Sequence, residues 1–200
     1  LGLSPVESPP PALLERLARL RPFSSSEKTN LKNIFTRRLP DGNIYLFDLE
    51  TNSDGESSSL TEDMVLVISP SLNLPRFGIF PKPATQGIAG GLLDKLLQWM
   101  ISRSHLVLVP VSQPRAFAER YALLAESQAQ VSALVDSGLL EQLASVNNQH
   151  IQAEGDAFVY SNLLFGRQPQ QPQNQDLVTL IDQAQRVLHI LEDYRGLRSY

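Results

Sequence analysis

The side chains that could do chemistry in this sequence are few: three histidines, a run of oxygen-bearing residues between positions 50 and 62, and scattered carboxylates. The run ETNSDGESSSLTE puts Glu50, Asn52, Asp54, Gly55, Ser57 and Thr61 at the first, third, fifth, sixth, eighth and twelfth positions of a calcium-loop pattern. Alternating oxygens suit a hard cation, which gathers its ligands from carboxylates, amides and carbonyls. The pattern then fails at two slots, because Ser57 stands where an apolar residue belongs and Thr61 where a bidentate Glu closes the shell. Strand-like segments flank the run in place of helices, so a hairpin loop rich in turn formers is expected.

The three histidines, His105, His150 and His189, lie far apart, and none has a second histidine at a zinc-like helical spacing. Each is expected to be a partly exposed side chain, with His105 and His150 approaching one another only if their strands pair. No G-x-S-x-G elbow and no H-E-x-x-H are present. Asp48 and Glu50, two residues apart, share one face of a strand, where they would share a proton only if buried, and a solvated face is expected. Asp156 follows a glycine in a turn context, which accounts for it by conformation. The glycine-rich TQGIAGG, residues 85 to 91, lacks both Gly-Lys-Ser/Thr and the G-x-G-x-x-G spacing, and is expected to be a helix-entry loop. The sequence therefore assigns no catalytic residue, no cofactor-binding residue and no metal ligand.

Composition narrows the partners. The chain has 200 residues, 42% hydrophobic and 19% charged, enough to bury a real core. Its 17 basic against 21 acidic residues give a net charge of -4, so no excess of positive charge is available for phosphates and a nucleic-acid partner is disfavoured. The small basic groups Arg16, Arg19, Arg21 and Arg37, Arg38 are expected to be solvated faces. With no cysteine, disulfides, thiol catalysis and thiolate metal sites are excluded. The longest apolar runs, Met64 to Ile68 and Leu106 to Val109, fall far short of the ~20 residues of a membrane helix. The chain begins at Leu1 rather than Met, so any anchor or signal segment is expected upstream of it.

The elements that position these residues follow from period and punctuation. Residues 1 to 10 form a proline-rich linker, in which the run SPVESPPP starts at 4 and ends at 11. Leu13, Leu14, Leu17 and Leu20 predict a helix over 11 to 20, followed by SSSEKTN as a polar loop. Ile34 to Leu39 and Ile44 to Glu50 flank PDGN as a hairpin, and Met64 to Ile68 is a central strand covered on both faces. Leu74 to Phe80, bounded by Pro75 and Pro81, should be irregular or at an edge. A helix is expected over 91 to 102, within a possible insert at 84 to 104, then a buried strand at His105 to Val111. A mixed segment follows at Phe117 to Ala125. Ser127 caps a helical region at 128 to 146 that Gly138 splits. His150 to Glu154 and Ala157 to Phe165 form a hairpin about Gly-Asp, and an amphipathic helix spans 176 to 193. Strands come in clusters, so the fold class is α+β: an antiparallel sheet built from hairpins with packed helices, in a single domain over 11 to 200.

In order and spacing, NLKNIFTRRLPDGNIYLFDLET, MVLVISPSLNLPRFGIFP, FAERYALLAESQAQVSALVDSGLLEQL and HIQAEGDAFVYS, followed by an amphipathic helix, resemble an uncharacterised family of bacterial membrane-anchored proteins with a soluble α+β domain. The loop at 51 to 61 and the segment at 84 to 104 are enlarged relative to that family. The resemblance implies a membrane segment ahead of this region, with the proline-rich start as a juxtamembrane linker, and it implies no activity or cofactor. Two functions follow as expectations. One is a non-enzymatic, membrane-proximal binding or scaffold domain with a protein partner. The other is a small-molecule-binding protein or enzyme whose site assembles from scattered residues.

Overall fold

The computed structural model describes residues 2–20, 27–53, 59–82, 106–146, 149–162 and 174–197. Among these residues nine strands make one sheet: β1 Ser4–Pro5, β2 Glu27–Leu39, β3 Gly42–Ser53, β4 Ser59–Ile68, β5 Leu74–Pro81, β6 Val107–Val109, β7 Tyr121–Ala125, β8 Gln149–Gly155 and β9 Ala157–Asn162. Their order is β1-β2-β3-β4-β9-β8-β5-β7-β6, with every pair antiparallel. Five helices complete the described elements: α1 Pro11–Leu20, α2 Arg115–Arg120, α3 Gln128–Asp136, α4 Leu139–Ala144 and α5 Asn174–Leu197. The α+β class, the sheet of hairpins and the C-terminal helix stand as the sequence predicts.

Period-two alternation sorts the sheet into two cores. Ile44 and Leu46 of β3, Val65 and Val67 of β4, and Phe158 and Tyr160 of β9 face the larger one, under Leu134, Leu140, Ile181 and Val187 of α3, α4 and α5. Tyr45, Phe47, Leu49, Met64, Leu66 and Val159 face the other, beneath Leu13, Leu17 and Leu20 of α1. Each of those leucines is buried and contributes about 1.5–3 kcal/mol of apolar transfer energy. The α3 cap is Ser127, whose Oγ accepts the Gln130 N–H at 3.4 Å, and Gly138, at φ +73°, separates α3 from α4 as expected.

Several expectations need correction. Glu27–Asn30 belong to β2 rather than to a polar loop, pairing with β3 from Glu27 opposite Ser53. Thr29 and Asn30 are exposed, so no apolar alternation marked this part of the strand. β5 is an interior strand between β8 and β7. Its prolines are harmless there: Pro75 falls where the β5–β8 register shifts between Leu74 and Phe77, and Pro81 is the last paired residue, opposite Tyr121. The buried strand predicted over 105 to 111 is a three-residue edge strand, β6, with Val107 49% and Leu108 51% exposed. The mixed segment at 117 to 125 resolves into the end of α2 and all of β7. Within the proline-rich start, Ser4 and Pro5 pair with Thr36 and Phe35, and the Val6 N–H donates to Ile34 O at 2.9 Å. The helix at 91 to 102, the TQGIAGG segment and His105 lie outside the described residues.

The β2–β3 turn holds Pro40 and Asp41 between paired Leu39 and Gly42. Gly42 is required less by the turn than by β4, since a Cβ there would stand 2.0 Å from the Ile68 carbonyl oxygen, at φ +156°. Gly42→Ala should therefore cost roughly 2–4 kcal/mol, from steric displacement and backbone strain together. Thermal melts of the variant, expected about 5–15 °C below the parent, check this.

Candidate functional site

The turn Gly155–Asp156 sets the β8–β9 register from Glu154 opposite Ala157, and counting outward brings His150 opposite Ser161. On the other side of β9, Ser161 is opposite Met64 of β4, and Glu62 lies one pleat further along β4 on the same face. Three residues distant in sequence thus meet on the α1 side of the sheet. The Ser161 hydroxyl donates to Glu62 Oε1 at 2.6 Å, and His150 Nδ1 lies 2.9 Å from Ser161 Oγ and 3.8 Å from Glu62 Oε1. Gln152 Nε2 is 2.9 Å from His150 Nε2. Because Ser161 spends its single proton on Glu62, Nδ1 of His150 must be the donor toward Ser161. Its Nε2 lone pair then accepts from the Gln152 amide.

The cluster is closed. His150 is 2% and Ser161 0% exposed, and the Phe80 ring lies against the imidazole with centroids 4.7 Å apart at 32°. Gly78 makes this possible, since a Cβ there would come 2.5 Å from Phe80 Cε2. In an acyl-transfer triad the imidazole offers a lone pair to the serine, and the carboxylate sits on the other nitrogen. Here the carboxylate takes the hydroxyl proton and the other nitrogen meets an amide. The arrangement clamps β4, β9 and β8 together and can carry a proton, but it does not activate Ser161 as a nucleophile.

His150, expected to be partly exposed, is buried. Glu62 and Ser161 were not singled out in the sequence; the Gly-Asp turn does place Ser161 opposite His150, but the β4–β9 pairing that supplies Glu62 is non-local. His189 is 74% exposed on α5, with Nδ1 3.6 Å from Glu192. Asp48 and Glu50 share a strand face and have separate partners: Asn33 Nδ2 donates to Asp48, and Lys32 Nζ lies 2.8 Å from Glu50. The calcium-like run enters and leaves through paired strands, with Glu50 opposite Thr61, and residues 54 to 58 fall outside the described set. Among the described residues no three His, Cys, Asp or Glu side chains converge as metal ligands.

Arg16, expected on a solvated face, and Asp156, given no role beyond its turn, form a two-pronged ion pair. Arg16 Nε and Nη2 donate to Oδ1 and Oδ2 at 3.1 and 2.8 Å, tying α1 to the β8–β9 turn. The hydrogen bonds from Arg16 hold the Asp156 carboxyl below its ordinary range, against a smaller opposing effect of burial. On the opposite face burial pushes the Tyr160 phenol upward, and its hydroxyl donates to Gln183, fixing α5 to β9.

Ser161→Ala should cost about 1–3 kcal/mol, because it takes the bridging hydroxyl from buried His150 and nearly buried Glu62; urea melts at neutral pH measure it. Asp156→Asn should cost on the order of 1 kcal/mol or less at pH 7, since the pair is partly solvated. As a carboxyl with a depressed folded pKa, Asp156 stabilises above the unfolded value of about 3.9 and loses that contribution as pH falls through the lower folded value. The gap between parent and variant should therefore narrow in melts run at pH values falling below the unfolded value of about 3.9, and a gap unchanged with pH would refute the ion-pair account. No protein-family model, curated protein or solved structure matches the chain.

Proposed function

We propose that this chain is a non-enzymatic binding or scaffold domain working beside a membrane, held there by a segment outside the chain, with a protein as its partner. The observation that carries the reading is the edge that β6 forms among the described residues. Val107 and Leu108 are adjacent in a strand, so they point to opposite faces, and each is about half exposed, at 49% and 51%. The edge Val107–Val109 carries no charge, the usual protection of an edge strand against pairing. An uncharged edge with apolar side chains on both faces suits an extended segment of another protein, added as a further strand. The family resemblance supports the membrane-proximal part. No helix among the described residues is long and apolar enough to cross a membrane, so this reading places the anchor elsewhere.

A second reading, a small-molecule-binding protein or enzyme with a site drawn from scattered residues, rests on the convergence of residues 62, 150 and 161. Saturable binding of a small molecule that shifts the His150 and Gln152 side-chain resonances would favour it over the first.

In the full-length protein, Leu108→Lys should abolish cross-links to its partner while leaving membrane sedimentation and melting temperature unchanged. Unchanged cross-linking would remove the edge from the reading, and recovery of the full-length protein in the soluble fraction would remove the membrane.

A further inference from the structure

We propose that the chain Glu62–Ser161–His150–Gln152 is a proton-gated switch: His150 takes a second proton at Nε2 within the folded sheet, and the Gln152 amide turns over to receive it. The count of hydrogens carries the inference. With a neutral ring every group is satisfied, Ser161 donating to Glu62, Nδ1–H to Ser161, and the Gln152 NH₂ to Nε2. A proton added at Nε2 would confront that NH₂ group, donor against donor. Rotating the terminal amide by half a turn exchanges its nitrogen for its oxygen in nearly the same volume, and the conflict becomes a hydrogen bond. Gln152 is only half-buried, so the displaced NH₂ can reach water.

Nothing else in the chain has to move. The imidazolium still donates from Nδ1 to Ser161, and Ser161 still donates to Glu62, which brings opposite charges within 3.8 Å across one hydroxyl. Phe80 gains from the change, since its ring 4.7 Å away favours a cation over a neutral ring. Burial opposes the charge. The described elements around the ring contribute these charges: β4 supplies Glu62, and β9 supplies the uncharged Ser161. On β5, Arg76 is engaged at 3.6 Å by both Glu126 and Glu154 of β8, and on α1, Arg16 is bound to Asp156. Glu62 is the charge in line with the ring. The protonation state of a buried imidazole is thereby displayed at the sheet surface as the orientation of one amide, a form that a partner or neighbouring segment can sense.

The test is nitrogen-detected NMR of the intact chain, labelled at histidine and glutamine, from pH 8 to pH 5. At pH 8 His150 should be the Nδ1–H tautomer. On acidification the folded protein should show a doubly protonated ring, with the Gln152 side-chain amide shifting at the same midpoint. Gln152→Glu, which can only accept, should raise that midpoint by about one unit, and Gln152→Met should lower it. An Nε2–H tautomer at pH 8, a ring that stays neutral until the protein unfolds, or a titration that leaves the Gln152 amide unmoved would each overturn the proposal. If either variant fails to fold, the tautomer and the coincident midpoints in the parent chain still decide.

Discussion

Burial of both faces of β4 is the constraint on which the rest of the structure depends. Met64, Val65, Leu66 and Val67 are each 0% exposed, so a strand in the middle of the sheet has to be roofed on two sides at once. The short α1 covers one side and the longer α5, with α3 and α4, covers the other. That asymmetry explains why α1 needs a tether in addition to three leucines: a ten-residue helix is marginal by itself, and the Arg16–Asp156 pair fixes it to the turn between β8 and β9. It also explains Gly42, whose missing side chain lets β3 begin directly against the end of β4.

Such a strand has a weakness. Five apolar residues in succession do not define which of them face which core, and a slip of one residue would exchange Met64 and Leu66 for Val65 and Val67 with little change in hydrophobic burial. The polar chain removes that ambiguity. Ser161 reaches Glu62 and His150 only in the observed register, and a slip would strand buried donors and acceptors at about 1–3 kcal/mol each. Clamping three strands by a side-chain network offsets the cost of placing polar groups where apolar ones would pack more simply.

Legibility in the sequence tracked the range of the interactions involved. The helix at 11 to 20, the split at Gly138, the hairpin about Gly155–Asp156 and the C-terminal helix are written in local periodicity and turn residues, and the structure has them all. Where pairing is decided by distant partners, local signs misled. Pro75 and Pro81 pointed to an edge, yet a register shift and a strand end absorb them inside the sheet. The apolar run near residue 107 pointed to the interior, yet among the described residues β6 is the last strand of the sheet. Thr29 and Asn30 of β2 carry no apolar alternation because both are exposed. The candidate site follows the same rule: half of it, His150 opposite Ser161, is countable from one turn, while Glu62 waits on the pairing of β4 with a strand almost a hundred residues later.

The same non-locality bears on what the cluster is for. A serine, a histidine and a glutamate brought together by three strands have the composition of a hydrolytic site, but composition does not set the direction of proton donation. Two features of the geometry do: the hydroxyl points its proton at the carboxylate, and the far nitrogen of the imidazole meets an amide. Reversing that polarity would need Glu62 on the far side of the ring, and the register of β4 against β9 holds it beside Ser161. What the sheet has built is therefore a path for hydrogen-bond polarity that runs from a nearly buried carboxylate through a closed centre to a half-buried amide. The centre and the amide end of that path differ in exposure, Ser161 at 0% and Gln152 half-buried, so a change of hydrogen-bond polarity at the centre is expressed at the amide.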